Sequence, residues 1–288
     1  MKVLTTIAEW RAYADSRRRA GRTIGLVPTM GALHQGHAAL IRAAVFNGDD
    51  VVVTSFINPL QFTLARDLLN YPITPEQDEE LARGAGAGAL VQPSIAEMWP
   101  DYPNETYTSV HVATLGDVFE GRDRPGHFDG VATVVAKLFA ITGPCRAYFG
   151  EKDFQQIAVI ERMVRDLALP VTLQRVATVR DADGLALSSR NRHLTPEGRR
   201  RALSLYAALA GAASSTEAPS QRRLAMAEVM RAAGVDVAYA EIVHPVTLVP
   251  VKEHFEGEAR ALVAGVVDHV RLIDNAPITL GGTHAARH

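Results

Sequence analysis

Two kinds of hydrophobic spacing divide the 288 residues. Up to about residue 177, short β-capable runs alternate with stretches of helical spacing. The runs at 23–27, 49–57, 89–91, 146–149 and 171–176 predict strands, with a briefer one at 110–112. Between them, 6–20, 38–46, 75–83, 131–141 and 154–167 carry apolar residues three and four apart. Ile7, Trp10, Tyr13 and Ala14 would form one buried stripe, and Leu40, Ile41, Ala44 and Val45 another. Val51-Val52-Val53-Thr54 is β-branched throughout, the signature of a strand buried on both faces in a parallel sheet. Pro28 is expected to close the first strand, and Gly84, Gly86 and Gly88 to break the helix at 75–83.

Beyond 177 the pattern changes. Thr195-Pro196 reads as a helix cap and first turn. Helices are expected at 196–213 and 221–233, the second ended by Gly234. Alternation in 236–243 and in parts of 260–267 predicts a small antiparallel sheet. The chain therefore reads as an α/β domain with a parallel sheet over 1–177 and a smaller α+β domain over 178–288. Residues 281–288 are expected to be loose.

Composition narrows the function classes. Hydrophobic residues make up 47%, charged residues 22%, and the formal net charge is −2, which does not advertise nucleic acid or an anionic membrane. Arg17-Arg18-Arg19 is expected as the basic end of a helix, where cations suit the dipole. Cys145 is the single cysteine, read as a small buried hydrophobe in a reducing compartment. The N-terminal stretch lacks the apolar core of a signal peptide, and no window reaches membrane-spanning length without charges. The expectation is a cytoplasmic protein with no membrane partner.

Candidate chemistry concentrates at strand ends. Val27-Pro28-Thr29-Met30-Gly31-Ala32-Leu33-His34-Gln35-Gly36-His37 reads as a strand end, a tight turn and a helix start carrying two histidines. Two readings stand from the residues alone: a phosphate held by helix-start amides and imidazoles, or a capped turn. Asn58 and Gln61 follow the next strand, where neutral amides suit substrate oxygens. Gly150-Glu151-Lys152-Asp153 ends a further strand, and Lys152 there is either a phosphate ligand or a solvated turn. Gln155 and Gln156 begin the following helix, so that one can face a cleft and the other solvent. Ser188-Ser189-Arg190 supplies hydroxyls and a guanidinium fork suited to polyphosphate, although such a loop alone is more often a linker.

Taken in order, PTMGALHQGH at 28–37, FINPLQF at 56–62, RPGHFDGVATVVAKLF at 124–139, FGEKDFQQ at 149–156 and TVRDADGLALSSRN at 178–191 closely resemble the pantothenate synthetase (pantoate–β-alanine ligase) family. LIDN at 272–275 also resembles that family's C-terminal sequence. The resemblance implies a Rossmann-like doubly wound parallel sheet of the paired-histidine nucleotidylyltransferase type, with a smaller C-terminal domain closing over ATP. It implies ATP-dependent condensation of D-pantoate with β-alanine to pantothenate, AMP and pyrophosphate through a pantoyl adenylate, with Mg2+, in a homodimer.

Residue by residue, the resemblance assigns His34, His37, Lys152, Ser188, Ser189 and Arg190 as phosphate donors, with His37 the proton donor. Met30, Gly31, Ala32, Leu33, Gln35, Gly36, Gly150, Glu151, Asp153, Val179 and Leu187 match ATP-lining positions. Gln61 matches a residue for pantoate and β-alanine, Gln156 one for pantoate, and Asn58 a wall of that pocket. Glu120 and Arg124 fall on a loop near the cleft. Magnesium is expected mainly on the ATP phosphates, with Asp78 a possible ligand. The chain departs from the family at Thr63, Ile73 and Ala177, where Gly, Arg and Pro are usual. These departures bear on rate or affinity rather than reaction class. The competing readings are activation of another acid, nucleotidyl transfer to a phosphate, and a noncatalytic nucleotide- or RNA-binding module.

Overall fold

The computed structural model describes residues 1–104 and 106–281. Of the tail expected to be loose at 281–288, residues 282–288 lie outside the described residues. Contacts divide the chain into two compact units, Met1–Glu151 with Gln155–Thr178, and Lys152–Phe154 with Val179–His288.

The first unit is built on strands β1 (Lys2–Leu4), β2 (Ile24–Thr29), β3 (Asp50–Ser55), β4 (Ala89–Val91), β5 (Cys145–Gly150) and β6 (Val171–Val176). All pair in parallel, in the order β1-β4-β3-β2-β5-β6. Its helices are α1 (Ile7–Arg19), α2 (Gln35–Phe46), α3 (Ala65–Leu69), α4 (Pro75–Ala85), α5 (Ile95–Met98), α6 (Glu120–Asp123), α7 (His127–Thr142) and α8 (Phe154–Asp166).

Side-chain alternation along the strands explains the two covered faces. Val27, Val51, Val53 and Leu90 join Leu40, Ile41 and Ala44 of α2 and Ala82 of α4 in one core cluster. Burying each larger aliphatic side chain there contributes about 2 kcal/mol. The helices α1 and α7 pack against each other and against β2. Trp10 of α1 is fully buried. Chain order reverses between β2 and β5: β2 leads to β3 on one side, and β5 leads to β6 on the other. Ligands of such sheets gather beyond the carboxyl ends of the strands at this switch point.

Several local expectations are corrected. The strand β2 runs through Pro28 to Thr29. Its pairing with β5 involves Gly25 and Leu26, so the ladder on that side does not need the N–H that proline lacks. Val45 is half-exposed rather than part of the α2 stripe. The helix α4 continues through Gly84 and stops at Gly86, whose φ of 101° is left-handed. Residues 110–112 form no strand; the Val110 N–H instead donates to Thr133 Oγ1 at 2.9 Å. Arg17 pairs with Asp50, and Arg18 with Asp15 and the Thr142 carbonyl. Cys145, in contrast, is buried as its sequence reading expects, and burial pushes its thiol pKa up to about 12. No described helix is long and apolar enough to cross a membrane.

The second unit pairs α9 (Pro196–Ser214) and α10 (Pro219–Ala232) with an antiparallel sheet of β7 (Asp236–Val243), β8 (Gly257–Val267) and β9 (Val270–Leu280). Thr195 caps α9 through the Gly198 N–H, as its sequence suggests. Leu205, Leu209, Met226 and Met230 pack on Ile242, Ala261 and Val263.

Candidate active site

The β2–α2 connection is shaped by one buried carboxylate. Asp78 of α4, 1% exposed, accepts the backbone N–H of Ala32 at 3.0 Å and of Leu33 at 2.7 Å. It also accepts the hydroxyls of Thr74 at 3.0 Å and Ser55 at 3.5 Å. These contacts hold Ala32 at φ 49°, a left-handed conformation that costs an alanine about 1 kcal/mol. Gly31 is required beside it: at φ 82°, a Cβ would lie 2.8 Å from Ser55 Oγ and 2.9 Å from Asp78 Oδ2.

That loop delivers two histidines to the start of α2. His34 is the N-cap, its Nδ1 accepting the Gly36 N–H at 3.1 Å, while His37 Nδ1 accepts the His34 N–H at 3.2 Å. Both readings of the motif are therefore compatible in one geometry. An Nδ1 that accepts a backbone hydrogen leaves the proton of a neutral imidazole on Nε2, making that nitrogen the donor. Gln35 is exposed and receives Arg42 Nη1 at 3.4 Å.

Beyond β3, Pro59–Gln61 forms a single 3-10 turn against α7. Asn58, 1% exposed, uses both ends of its amide within the protein. Its Nδ2 donates to Gln61 Oε1 and to the Gly130 carbonyl, each at 3.1 Å, and its Oδ1 accepts from Trp99 Nε1 at 3.1 Å and from the Leu60 N–H at 3.4 Å. Asn58 thus holds Gln61 rather than offering polar capacity of its own. The amine of Gln61 lies 3.1 Å from Met30 Sδ.

The 120–128 loop joins the same assembly. The Gln61 carbonyl faces His127 Nδ1 at 2.8 Å, which must donate; the opposite nitrogen then accepts from Arg124 Nη1 at 3.3 Å. Glu120 is buried, and its N–H donates to Gln155 Oε1 at 3.1 Å. Gln155 also holds the carbonyls of Leu115 and Val118, so it faces inward, while Gln156 is partly exposed.

The second unit assembles a pocket in which Lys152, Ser188, Arg190, Asn191, Arg271 and Asp274 stand beside Leu185, Ala186, Leu205, Leu272 and Ile273. Leu187 N–H bonds the Val179 carbonyl at 3.0 Å, closing the loop that carries the two serines. Ser188 caps the turn Ser189–His193 through the Arg190 N–H, and the Arg190 side chain is exposed. Asn275 Nδ2 donates to the Lys152 carbonyl at 2.9 Å and receives Arg260 Nε at 2.7 Å. Asp274 is gripped by both Arg180 Nη atoms, at 2.6 and 2.9 Å. Lys152 Nζ lies 3.4 Å from Asp153 Oδ1. Gly150 ends β5, and the half-buried Glu151 follows it within the first unit.

Sequence reasoning missed three roles: Asp78 as a loop anchor, His127 behind Gln61, and the Asp274-Asn275 pair on Arg180 and the Lys152 carbonyl. The RPGHFDG and LIDN blocks carried the last two residue sets without showing what they hold. Asp78 is not placed as a magnesium ligand, because four donors already occupy its oxygens. No group of three or more His, Cys, Asp or Glu among the described residues could hold a metal.

Comparison with known proteins agrees with this architecture over nearly the whole chain. The profile of the Pantoate-beta-alanine ligase family matches residues 2–277. The pantothenate synthetases of Cereibacter sphaeroides and Moorella thermoacetica are each 48% identical over 280 residues, covering 96% of this chain and 99% and 98% of theirs. The crystal structure of pantothenate synthetase from Thermus thermophilus is similar with a TM-score of 0.88 at 45% identity, covering 96% of this chain and 99% of that one. A pantoate-beta-alanine ligase from Francisella tularensis, complexed with beta-gamma ATP and beta-alanine, gives a TM-score of 0.81 at 31% identity, covering 96% and 97%. With its six-stranded parallel sheet, its paired-histidine helix start and this full-length similarity, the chain belongs to the pantoate–β-alanine ligase family.

Proposed function

We propose that this chain condenses D-pantoate with β-alanine at the expense of ATP, through a pantoyl adenylate. The pantoate carboxylate attacks the α-phosphorus, forming a P–O bond as the bond to pyrophosphate breaks. The β-alanine amine then attacks the acyl carbon, loses a proton, and AMP departs. The observation that carries the reading is the start of α2, where backbone contacts orient both imidazoles with Nε2 as donor. Donors fixed in advance stabilise the charge that develops on the phosphates without reorganising.

His34, His37 and the loop from Met30 to Gly36 serve as phosphate donors and ATP-lining residues in this reading. Lys152, Ser188, Ser189 and Arg190 are read as phosphate donors too, and Asp153, Val179 and Leu187 as ATP-lining residues. Gln61 and Gln156 bind pantoate, and neutral amides suit a carboxylate that must stay nucleophilic. Magnesium enters with ATP as part of the substrate. A cytoplasmic setting and a homodimer belong to the same reading.

The test is exchange of labelled pyrophosphate into ATP with pantoate present and β-alanine absent. Pantoate-dependent exchange is expected. Exchange supported only by a different acid would reassign the substrate, and nucleotide binding without exchange for any acid would overturn the catalytic reading.

A further inference from the structure

Gln61 can meet a carboxylate in two opposite ways. With its amine outward it donates hydrogen bonds; flipped, it presents a partially negative oxygen that repels the same group. Which way it points is decided by its neighbours. An indole N–H can only donate, so the Asn58 atom facing Trp99 Nε1 at 3.1 Å must be the oxygen. A backbone carbonyl can only accept, so the Asn58 atom facing Gly130 must be the nitrogen. That nitrogen's second hydrogen requires an acceptor on Gln61, which fixes Oε1 inward and Nε2 outward. The outward amine now meets Met30 Sδ, a weak acceptor that a substrate oxygen would readily outcompete.

The surroundings keep this relay from rearranging. Trp99 is 8% exposed and Asn58 1%. Lys137 lies 4.4 Å over the indole ring and bonds the Met98 carbonyl. A Cβ on Gly130 would fall 2.3 Å from the Leu60 carbonyl oxygen, so only glycine lets α7 approach the turn closely enough for its carbonyl to reach Asn58.

We propose that Trp99 is a positioning residue for the acid substrate: its indole N–H, relayed through Asn58, holds the Gln61 amide with its N–H donors toward the substrate carboxylate or hydroxyl. The inference rests on the reading of Gln61 as a pantoate-binding residue. Trp99 makes the amide orientation a property of the folded core rather than of the arriving ligand.

The test compares Trp99→Phe, Gln61→Ala and the double variant by pantoate-dependent pyrophosphate exchange. Trp99→Phe removes the shorter of the two donors to Asn58 Oδ1, leaving the Leu60 N–H at 3.4 Å and the Gly130 carbonyl as anchors, so the KM for pantoate should rise roughly fivefold with the KM for ATP unchanged. In the Gln61→Ala background the same change should add nothing. An equal factor in both backgrounds, or an unchanged pantoate KM in the single variant, overturns the proposal. Should Trp99→Phe fail to fold, benzothienylalanine at position 99 keeps the ring shape without the N–H. A second readout needs no substrate: the Gln61 side-chain amide signals, identified by their loss in Gln61→Ala, should shift or broaden in the Trp99 variant. Unchanged signals overturn the proposal whichever acid the enzyme activates, whereas absent exchange in the unsubstituted protein overturns only the substrate reading.

Discussion

The backbone N–H of His34 donates to Nδ1 of His37 at 3.2 Å, and the two rings lie 4.1 Å apart between centroids. Each histidine spends Nδ1 on the fold, and the proposed mechanism assigns its Nε2 to the phosphates. The two duties separate by substitution. His34→Asn retains a good N-cap and should leave the Tm within about 1 °C, whereas His34→Ala should cost about 1 kcal/mol. His37→Ala should lower the adenylation rate on the order of a hundredfold in pyrophosphate exchange. Near-normal exchange in that variant would remove His37 from the phosphate chemistry.

Asp78 offers a different signature, because it acts on the loop backbone. Asp78→Asn replaces one accepting oxygen with an amine facing N–H and O–H donors. A loss of about 2 kcal/mol is expected, lowering the Tm by roughly 5 °C, together with weaker use of ATP. Thermal unfolding and the KM for ATP check the two effects. If Asp78 were instead a metal ligand, excess magnesium would restore ATP use.

For Lys152, the carbonyl holds Asn275, and the proposed mechanism gives the ammonium to the phosphates. Lys152→Ala keeps the bond from Asn275 to the backbone. The Tm should therefore hold while exchange falls on the order of a hundredfold. A large loss of stability with little loss of rate would reverse that assignment.

Acid sensitivity is expected at Asp268 in the second unit. The Thr195 hydroxyl, the Thr195 N–H and Arg201 hold its carboxyl below its ordinary value of 3.8. A lowered native pKa means that the unfolded chain binds the proton more readily, so the contribution is full above pH 3.8. It fades as pH falls through the native value. In urea unfolding, Asp268→Asn should be less stable than the unsubstituted protein at pH 6, with the gap closing below pH 3.8. A gap independent of pH would show that the carboxylate charge is not involved.

The β-branched run Val51–Thr54 was legible because both of its faces are buried, and the amphipathic helices because each turns one face to the core in a regular period. The strand β1 escaped because three residues at a sheet edge carry no period. The strand β9 escaped for another reason: Asp274, Asn275 and Pro277 interrupt its alternation. Its edge position tolerates the proline, and Arg180 and Arg260 satisfy the two buried polar side chains. In the active-site region, His34, His37 and Lys152 stood out as chemistry-bearing residues beside glycine-rich turns. Asp78 entered only as a possible magnesium ligand and Trp99 not at all, because the loop-anchoring and amide-orienting roles depend on partners 45 and 41 residues away.

The chain enters the second unit for only three residues, Lys152–Phe154, returns to the first, and leaves for good after Thr178. Phe154 is 3% exposed, and the Arg260 guanidinium lies 4.4 Å over its ring. A gene truncated after codon 178 would encode a fragment with an uncovered phenylalanine at the start of a helix and a lysine carbonyl deprived of its asparagine. No single cut separates these units, so recombination between relatives must exchange the short central insertion and the C-terminal segment together.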